Sequence, residues 1–387
     1  SYTKTNLPAG EFTNLISEGV IPGIGGILIF IPQIAFLFLF ISVLEESGYM
    51  SRVVFLMDKI MRRYGLSGKS IVPLISGTAC AIPAIMGARN IENWKERLIT
   101  ILVTPFITCS ARLPVYAILI SLIIPEKRVL GFISLQGLTL MFLYLLGFGA
   151  ALFSAFILNK ILHLKTKSYF VVEMPSYKIP MFKNVSINVL EKTKAFVFGA
   201  GKIILALSVI LWFLGSHGPD KDFGKAPQIV QEQLNARNQK YSPKFLEDQI
   251  SSYKLENSYI GIVGKFIEPV IKPLGYDWKI GIAVVSSFAA REGFVGTLAT
   301  IYSVGSSEEE ATIKKRMEAE IHADGSKVFN LATGVSLLLF YAFAMQCVST
   351  LAIVKKETNS WKWPLIQLFF MSGIAYITAL AAYQFLK

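Results

Sequence analysis

Three cysteines, Cys80, Cys109 and Cys347, are the side chains best suited to hold a soft or borderline metal ion; Cys80 and Cys109 stand among prolines that disturb a helix, and Cys347 is their counterpart in the second half. Cys80 lies in SGTACAIPAIMGARN (76–90), with Pro73 before it, Pro83 and Gly87 after it, and no charge between Lys69 and Arg89. Cys109 lies in TPFITCSARLPVY (104–116) between Pro105 and Pro114. Cys347 lies in FAMQCVST, where Gln346, Ser349 and Thr350 supply oxygen. Thiolate suits late first-row metals, including ferrous iron and zinc. Proline removes a backbone donor and frees a carbonyl, so a thiol beside broken backbone offers mixed sulfur and oxygen ligation, and Met86 adds a weak thioether. An odd number of cysteines argues against a disulfide framework. The competing reading is that all three are small apolar packing residues.

Ionisable groups inside apolar runs are the next candidates, since charge at membrane depth is costly and marks function by default. Arg112 follows Cys109 by three residues; a cation does not want it as a ligand, so gating, a counter-ion role or charge pairing fits it. Glu292, in AAREGFVG, is a hard-oxygen contribution to a cation path unless the adjacent Arg291 neutralises it. Glu45 and Glu46 end the first long apolar run and suit an access point at the interface. GLSGKS (65–70) resembles the end of a phosphate-binding loop, but the first glycine that motif needs is Arg63 and no strand precedes it. The histidines, His163, His217 and His322, lie in or beside polar connections. No Ser-His-Asp or Cys-His pair is placed for catalysis.

The elements that position these residues are membrane helices. The 387 residues are 53% hydrophobic and 17% charged, with mean hydropathy +0.52, too apolar for a soluble chain of this length. Gly23–Leu44, Val129–Asn159, Val328–Val354 and Trp363–Leu386 carry no Asp, Glu, Lys or Arg, and each meets the requirement of roughly 18–20 residues for a spanning helix. Leu98–Ile124, Ala195–Leu214 and Ile280–Ser303 are further apolar stretches with one or two charges. The fold class is all-α and polytopic. The net charge of +12 reads as basic loops orienting the chain, and no aromatic-interleaved basic patch points to nucleic acid. The first twenty residues lack a signal peptide pattern and read as a polar lead-in, the cut end of something longer.

An internal repeat organises the rest. LEESGYM (44–50) is echoed by LENSYI (255–260), and FLMDKIMRRYGL (55–66) by KFIEPVIKPLGY (265–276), with Asp58 over Glu268 and Gly65 over Gly275. SIVPLISGTACAIPAIMG then parallels IGIAVVSSFAAREGFVG, and TPFITCSARLPVY parallels YAFAMQCVSTLAI. Two halves follow, 1–194 and 195–387, the second with a polar insertion at about 216–277. Each half holds a long helix, an amphipathic interfacial helix, an interrupted segment and two further helices. Helices are expected at about Ala226–Lys254 and in Gly305–Lys327. Paired interrupted segments mark the binding site of a transporter built from repeats. Spanning interrupted segments give eight crossings, which the lysine-rich connection 160–194 favours; re-entrant ones give six and inverted repeats. Both put the termini on one side.

Taken together these stretches resemble the membrane domain of the FeoB family of ferrous iron transport proteins. The resemblance runs from LPAGEFTNLISEGVIPGIGGILIFIPQIAFLFLF through LEESGYMSRVVFLMDKIMRRYGLSGKS. It is strongest in SGTACAIPAIMGAR and TPFITCSARLPVYA, the first Gate region, and returns in WKIGIAVVSSFAAREGFVGTLATIY and QCVSTLAIVKKETNSWKW. It implies Fe²⁺ transport across the bacterial inner membrane into the cytoplasm, with both termini cytoplasmic and Cys80, Cys109 and Cys347 lining the path. Fe²⁺ is then substrate, with no tightly bound cofactor and no enzymatic activity in this region. GTP enters only through a separate N-terminal GTPase domain, for which this chain has no match. FeoA-type proteins and self-association are expected partners beside membrane lipid. The Gate regions also resemble nucleoside transporters, which implies inverted repeats. A nucleoside or other small-solute carrier is therefore the alternative, needing convergent hydrogen-bonding side chains that the Gate segments supply sparsely. A membrane anchor with packing cysteines is the third reading, and Arg112, Arg291 and Glu292 speak against it.

Overall fold

The computed structural model describes residues 10–129, 133–162, 177–219, 226–236, 243–289, 291, 293–301, 317 and 328–387. Apolar runs become helices because hydrocarbon leaves backbone N–H and C=O groups no partner outside their own segment. The first, α1 (Glu11–Glu46), includes a π-helical stretch at Leu15–Val20. Gly48, at φ 80°, turns the chain into the amphipathic helix α2 (Tyr49–Met61). Two short helices follow, α3 (Ile71–Ser76) and α4 (Ala81–Gly87). Next come α5 (Trp94–Val103), capped by the Asn93 side chain on the Lys95 amide, and α6 (Leu113–Ile123). A two-residue antiparallel ladder, Arg128–Val129 with Ile133–Ser134, leads to α7 (Leu135–Ile161).

The later residues present their elements in the same order. The helix α8 (Phe182–Ser216) runs through residues 194 and 195 and includes a π-helical stretch at Val197–Gly201. The polar connection after it holds α9 (Ala226–Ala236) and α10 (Pro243–Glu256), where soluble helices are expected. The amphipathic α11 (Tyr259–Ile271) precedes α12 (Trp278–Ala289) and α13 (Gly293–Ile301). Then α14 (Leu331–Phe343) is followed, across a break, by α15 (Val348–Thr358) and the long α16 (Lys362–Leu386). The helix expected in Gly305–Lys327 lies outside the described residues, Met317 apart.

Among the described residues six helical stretches can cross a membrane by length and composition: α1, Trp94–Ile123 (α5 with α6), α7, α8, Leu331–Thr358 (α14 with α15) and α16. Three precede residue 162 and three follow it. Each helix of the pairs α3/α4 and α12/α13 is shorter than a span. Burial separates the six into two classes. The broken pairs bury 56% and 72% of their most apolar windows inside the protein, against 28% or less for the four long helices. The interrupted elements thus form the centre, and α1, α7, α8 and α16 wrap them. The physical reason is that carbonyls freed by a break survive at membrane depth only when protein or water covers them. The main apolar core runs between the halves, with Phe106 edge-on to Phe343 and Phe370, and Phe294 against Tyr341.

Candidate metal path at the helix breaks

Each cysteine is the residue immediately before a helix restarts. Cys80 precedes α4 (φ −155°, ψ 132°), Cys109 precedes a 3₁₀ turn leading into α6 (φ −93°, ψ 163°), and Cys347 precedes α15 (φ −159°, ψ 98°). Extended backbone at that position is the usual geometry of a residue that starts a helix. None of the three thiols caps its own helix. Pro83 and Pro114, just inside the restarting helices, fix φ where no intrahelical N–H is needed.

The breaks are tied to one another. The Ala79 carbonyl, next to Cys80, accepts from both the amide (3.3 Å) and the hydroxyl (2.8 Å) of Ser110, next to Cys109. Gln33 of α1 donates to the same hydroxyl. A small cavity of about 30 Å³ lies there, lined by Gln33, Ala79, Cys80, Cys109 and Ser110 among others. Cys80 is within electrostatic reach of Cys109, Cys347 and Arg291. Arg291, 5% exposed at the α12/α13 break, places Nη1 3.1 Å from the Cys109 sulfur and donates through Nε to the Gln346 carbonyl at 3.2 Å. One guanidinium therefore spans from the second thiol to the residue preceding the third.

Arg112 serves the broken backbone. It is fully buried, and its Nη atoms donate to the carbonyls of Pro105, Phe106, Ala342 and Ala344 at 2.9–3.4 Å. These are the ends of the first half-helix of each broken span, where intrahelical donors run out and the helix dipole favours a cation. Gln367 of α16 likewise donates to Ile101 and Leu102. Gly147 of α7 lets the 106–108 backbone approach so closely that a Cβ there would sit 3.0 Å from the Phe106 oxygen. Several oxygen atoms beside the thiols stay uncommitted: Thr108 Oγ1 and Ser349 Oγ are buried without a hydrogen-bond partner. The Gln346 amide lies beside the Tyr341 hydroxyl, yet neither of its polar atoms makes a bond of good geometry.

Comparison with known proteins fits this arrangement. The family described as "Gate: Nucleoside recognition" matches residues 27–122 and 197–361, and "Ferrous iron transport protein B C terminus" matches 140–192. A protein named "Fe(2+) transporter FeoB" from Leptospira interrogans serovar Lai is 46% identical over 378 residues, covering 98% of this chain and 52% of the relative. The chain belongs to the FeoB family. It spans about half the length of the curated relatives it matches. A "Fe(2+) transporter FeoB" from Staphylococcus aureus strain MSSA476 is 36% identical over 372 residues, covering 96% of this chain and 49% of its own. A "Fe(2+) transport protein A/Fe(2+) transporter FeoB fusion protein" from Porphyromonas gingivalis is 35% identical over 398 residues, covering 99% of this chain and 46% of its own. No solved structure matches the chain.

The other candidates of this FeoB-family chain have surroundings of their own. Met86, 8% exposed, packs in an apolar cluster with Ile34, Phe38, Ile85 and Phe196, against which Cys80 also packs, and is not among the residues lining the small cavity at Cys80 and Cys109. Glu45 and Glu46 face cavities at the end of α1. One of about 450 Å³ is lined by both and by Asn184 and Asn188; an adjoining one of about 430 Å³ reaches from Glu45 to Ser76, Pro83 and Gly87 of the first hairpin. Glu46 accepts from the Met181 amide (3.0 Å) and Asn184 Nδ2 (2.7 Å). Glu292 lies outside the described residues. Among the described residues no three His, Cys, Asp or Glu side chains are arranged to hold a metal ion. In GLSGKS the Gly68 amide donates to Asp58 of α2 at 2.9 Å and Lys69 pairs with Glu92 at 2.8 Å, so these groups already have protein partners.

Sequence reading passed over Glu357. Its side chain, 2% exposed, takes Arg89 at 2.5 Å and Arg97 at 3.0 Å. The available signal was that Arg89 is the first charge after the uncharged run around Cys80, and that Glu357 follows two lysines at the end of a broken span.

Proposed function

We propose that this chain forms the membrane path for Fe²⁺ of an iron transporter in the bacterial inner membrane, moving the ion into the cytoplasm. The observation that carries it is that Cys80 and Cys109, from two separate breaks, line one small cavity, with Cys347 of a third break within electrostatic reach of Cys80 and unpaired oxygen atoms on Thr108 and Ser349. A path must strip water from the ion yet release it. Spaced thiols with weak oxygen donors do this better than a closed four-cysteine site, which holds metal structurally. Glu45 and Glu46 suit the mouth of the path, since their cavities reach the hairpin that carries Cys80. Glu292, next to Arg291 in sequence, is a further candidate for a hard oxygen ligand. In the state described, the Arg291 guanidinium stands as a tethered cation beside Cys109, so the path is shut there until Arg291 moves. Three crossings before residue 162 and three after it invert the second set relative to the first and leave both termini in the cytoplasm, with α8 as the first crossing of the second set.

Energy coupling falls to a GTPase domain joined to this region in the whole protein, with a FeoA-type partner suggested by the Porphyromonas gingivalis fusion and self-association in the membrane. The nucleoside alternative draws no support from the breaks: about 30 Å³ beside Cys80 and Cys109 suits an ion or a water molecule, not a base and sugar. The test is uptake into proteoliposomes offered Fe²⁺, Zn²⁺, Mn²⁺ and nucleosides. Parent protein takes up Fe²⁺, and Cys80→Ser and Cys109→Ser each cut uptake on the order of tenfold or more, since even second-sphere changes at metal sites cost that much. Unchanged uptake in both folded variants overturns the thiol path; nucleoside uptake overturns the substrate.

A further inference from the structure

One carboxylate joins all three thiol-bearing elements at an end remote from the thiols. Glu357 is in the last turn of α15, which starts at Cys347. Arg89 follows α4, which starts at Cys80, and donates to Glu357 through Nε at 2.8 and 3.0 Å and through Nη2 at 2.5 Å. Arg97 lies in α5, the half-helix that ends at the Cys109 break, and donates through Nη2 at 3.0 Å. The helix rise of 1.5 Å per residue puts Glu357 about 15 Å along α15 from Cys347, so no member of the cluster touches the thiols.

The arrangement is unusual for a surface ion pair. Exposed pairs contribute little, but this carboxylate is 2% exposed, while Arg89 and Arg97 are 49% and 23% exposed. Guanidinium forks are suited to such fixed planar contacts. The neighbouring Lys355 and Lys356 point outward, so the buried position of Glu357 is specific to it. Removing that charge leaves two arginines facing each other with no anion between them, and their helices lose a common anchor.

We propose that Glu357, acting through Arg89 and Arg97, is a positioning residue that sets the relative register of the Cys80, Cys109 and Cys347 breaks and so the affinity of the path for Fe²⁺. This rests on the ion-path reading for its link to affinity, and on geometry alone for the register. The test compares Glu357→Gln and Glu357→Asp, in the full membrane protein, by amide hydrogen exchange and Fe²⁺ uptake. Glu357→Gln is expected to speed exchange in peptides covering all three breaks together and to raise the KM for Fe²⁺ about tenfold, in the range of second-sphere effects at metal sites, with a smaller change in maximal rate. Glu357→Asp, which keeps the charge, stays near the parent in both. A merely local structural role speeds exchange around 88–97 and 354–358 and leaves the breaks unchanged; that result overturns the proposal. If Glu357→Gln does not fold, Arg97→Gln, which removes a single contact, decides by the same exchange pattern. Should Cys80→Ser and Cys109→Ser leave uptake intact while Glu357→Gln loosens all three breaks, the ion-path reading falls and the register role stands.

Discussion

The hairpin α3/α4 and the pair α12/α13 occupy the same place in the order of elements, each after an amphipathic helix and a left-handed glycine, yet they deliver opposite chemistry. The first break carries a thiol, Cys80, in a run without charge. The second carries a guanidinium, Arg291, which reaches over to the sulfur of Cys109. The difference teaches that a shared backbone plan supplies the openings, while single side chains decide what each opening does. One opening presents a thiol; the other presents a guanidinium that reaches the thiol of a third break, Cys109.

The largest effect is expected where both halves depend on one residue. Arg112 holds carbonyls from the Pro105–Phe106 end and the Ala342–Ala344 end at once. Arg112→Ala leaves buried acceptors without donors, at about 1–3 kcal/mol for each group so orphaned. A large fall in the thermal midpoint in detergent is therefore expected. Arg112→Lys restores little of it, because an ammonium cannot present the guanidinium's fixed donors to carbonyls on two segments. A midpoint within a degree or two of the parent for Arg112→Ala would show that the halves are not joined here.

Next in size is the contrast itself. If Arg291 holds the place of a cation beside Cys109, Arg291→Gln removes that competitor and is expected to tighten Cd²⁺ or Fe²⁺ binding about tenfold, equivalent to about 1.4 kcal/mol. Isothermal titration of the detergent-purified protein measures it. Cys80→Ser is expected to move affinity in the opposite direction. Equal, same-signed changes in both variants would erase the functional distinction between the two hairpins.

Much of this architecture was legible from residue types. Uncharged runs marked the long helices, since a spanning segment must satisfy its own backbone, and prolines and glycines marked the interruptions at Cys80 and Cys109. Partners far apart in sequence were not legible. Arg112 finds carbonyls 230 and 232 residues away, and a carbonyl carries no signature in a sequence. Glu357 finds Arg89 across 268 residues, a pairing that only the folded backbone defines. Met86 lies in an apolar cluster with Phe38 and Phe196, against which Cys80 also packs, neighbours that its residue type alone does not name.

The smallest and sharpest test asks whether the two halves share a backbone plan. Gly65 (φ +77°) and Gly275 (φ +81°) each follow the 3₁₀ turn after an amphipathic helix. Each also packs against the long helix that closes its half, Gly65 on Asn159 of α7 and Gly275 on Tyr383 of α16. An alanine at either site is strained by left-handed backbone, at about 1–3 kcal/mol, and its Cβ meets that neighbouring side chain. Gly65→Ala and Gly275→Ala are therefore expected to lower the thermal midpoint by similar amounts. Adding Tyr383→Leu to Gly275→Ala should recover the part due to the ring and leave the backbone part. Asn159 also accepts Lys95 through its carbonyl, which an Asn159→Ala change preserves, so the matching rescue at Gly65 is a clean comparison. Unequal residual losses after both rescues would mean that the two turns bear different loads, and that the likeness between the halves stops at the order of their elements.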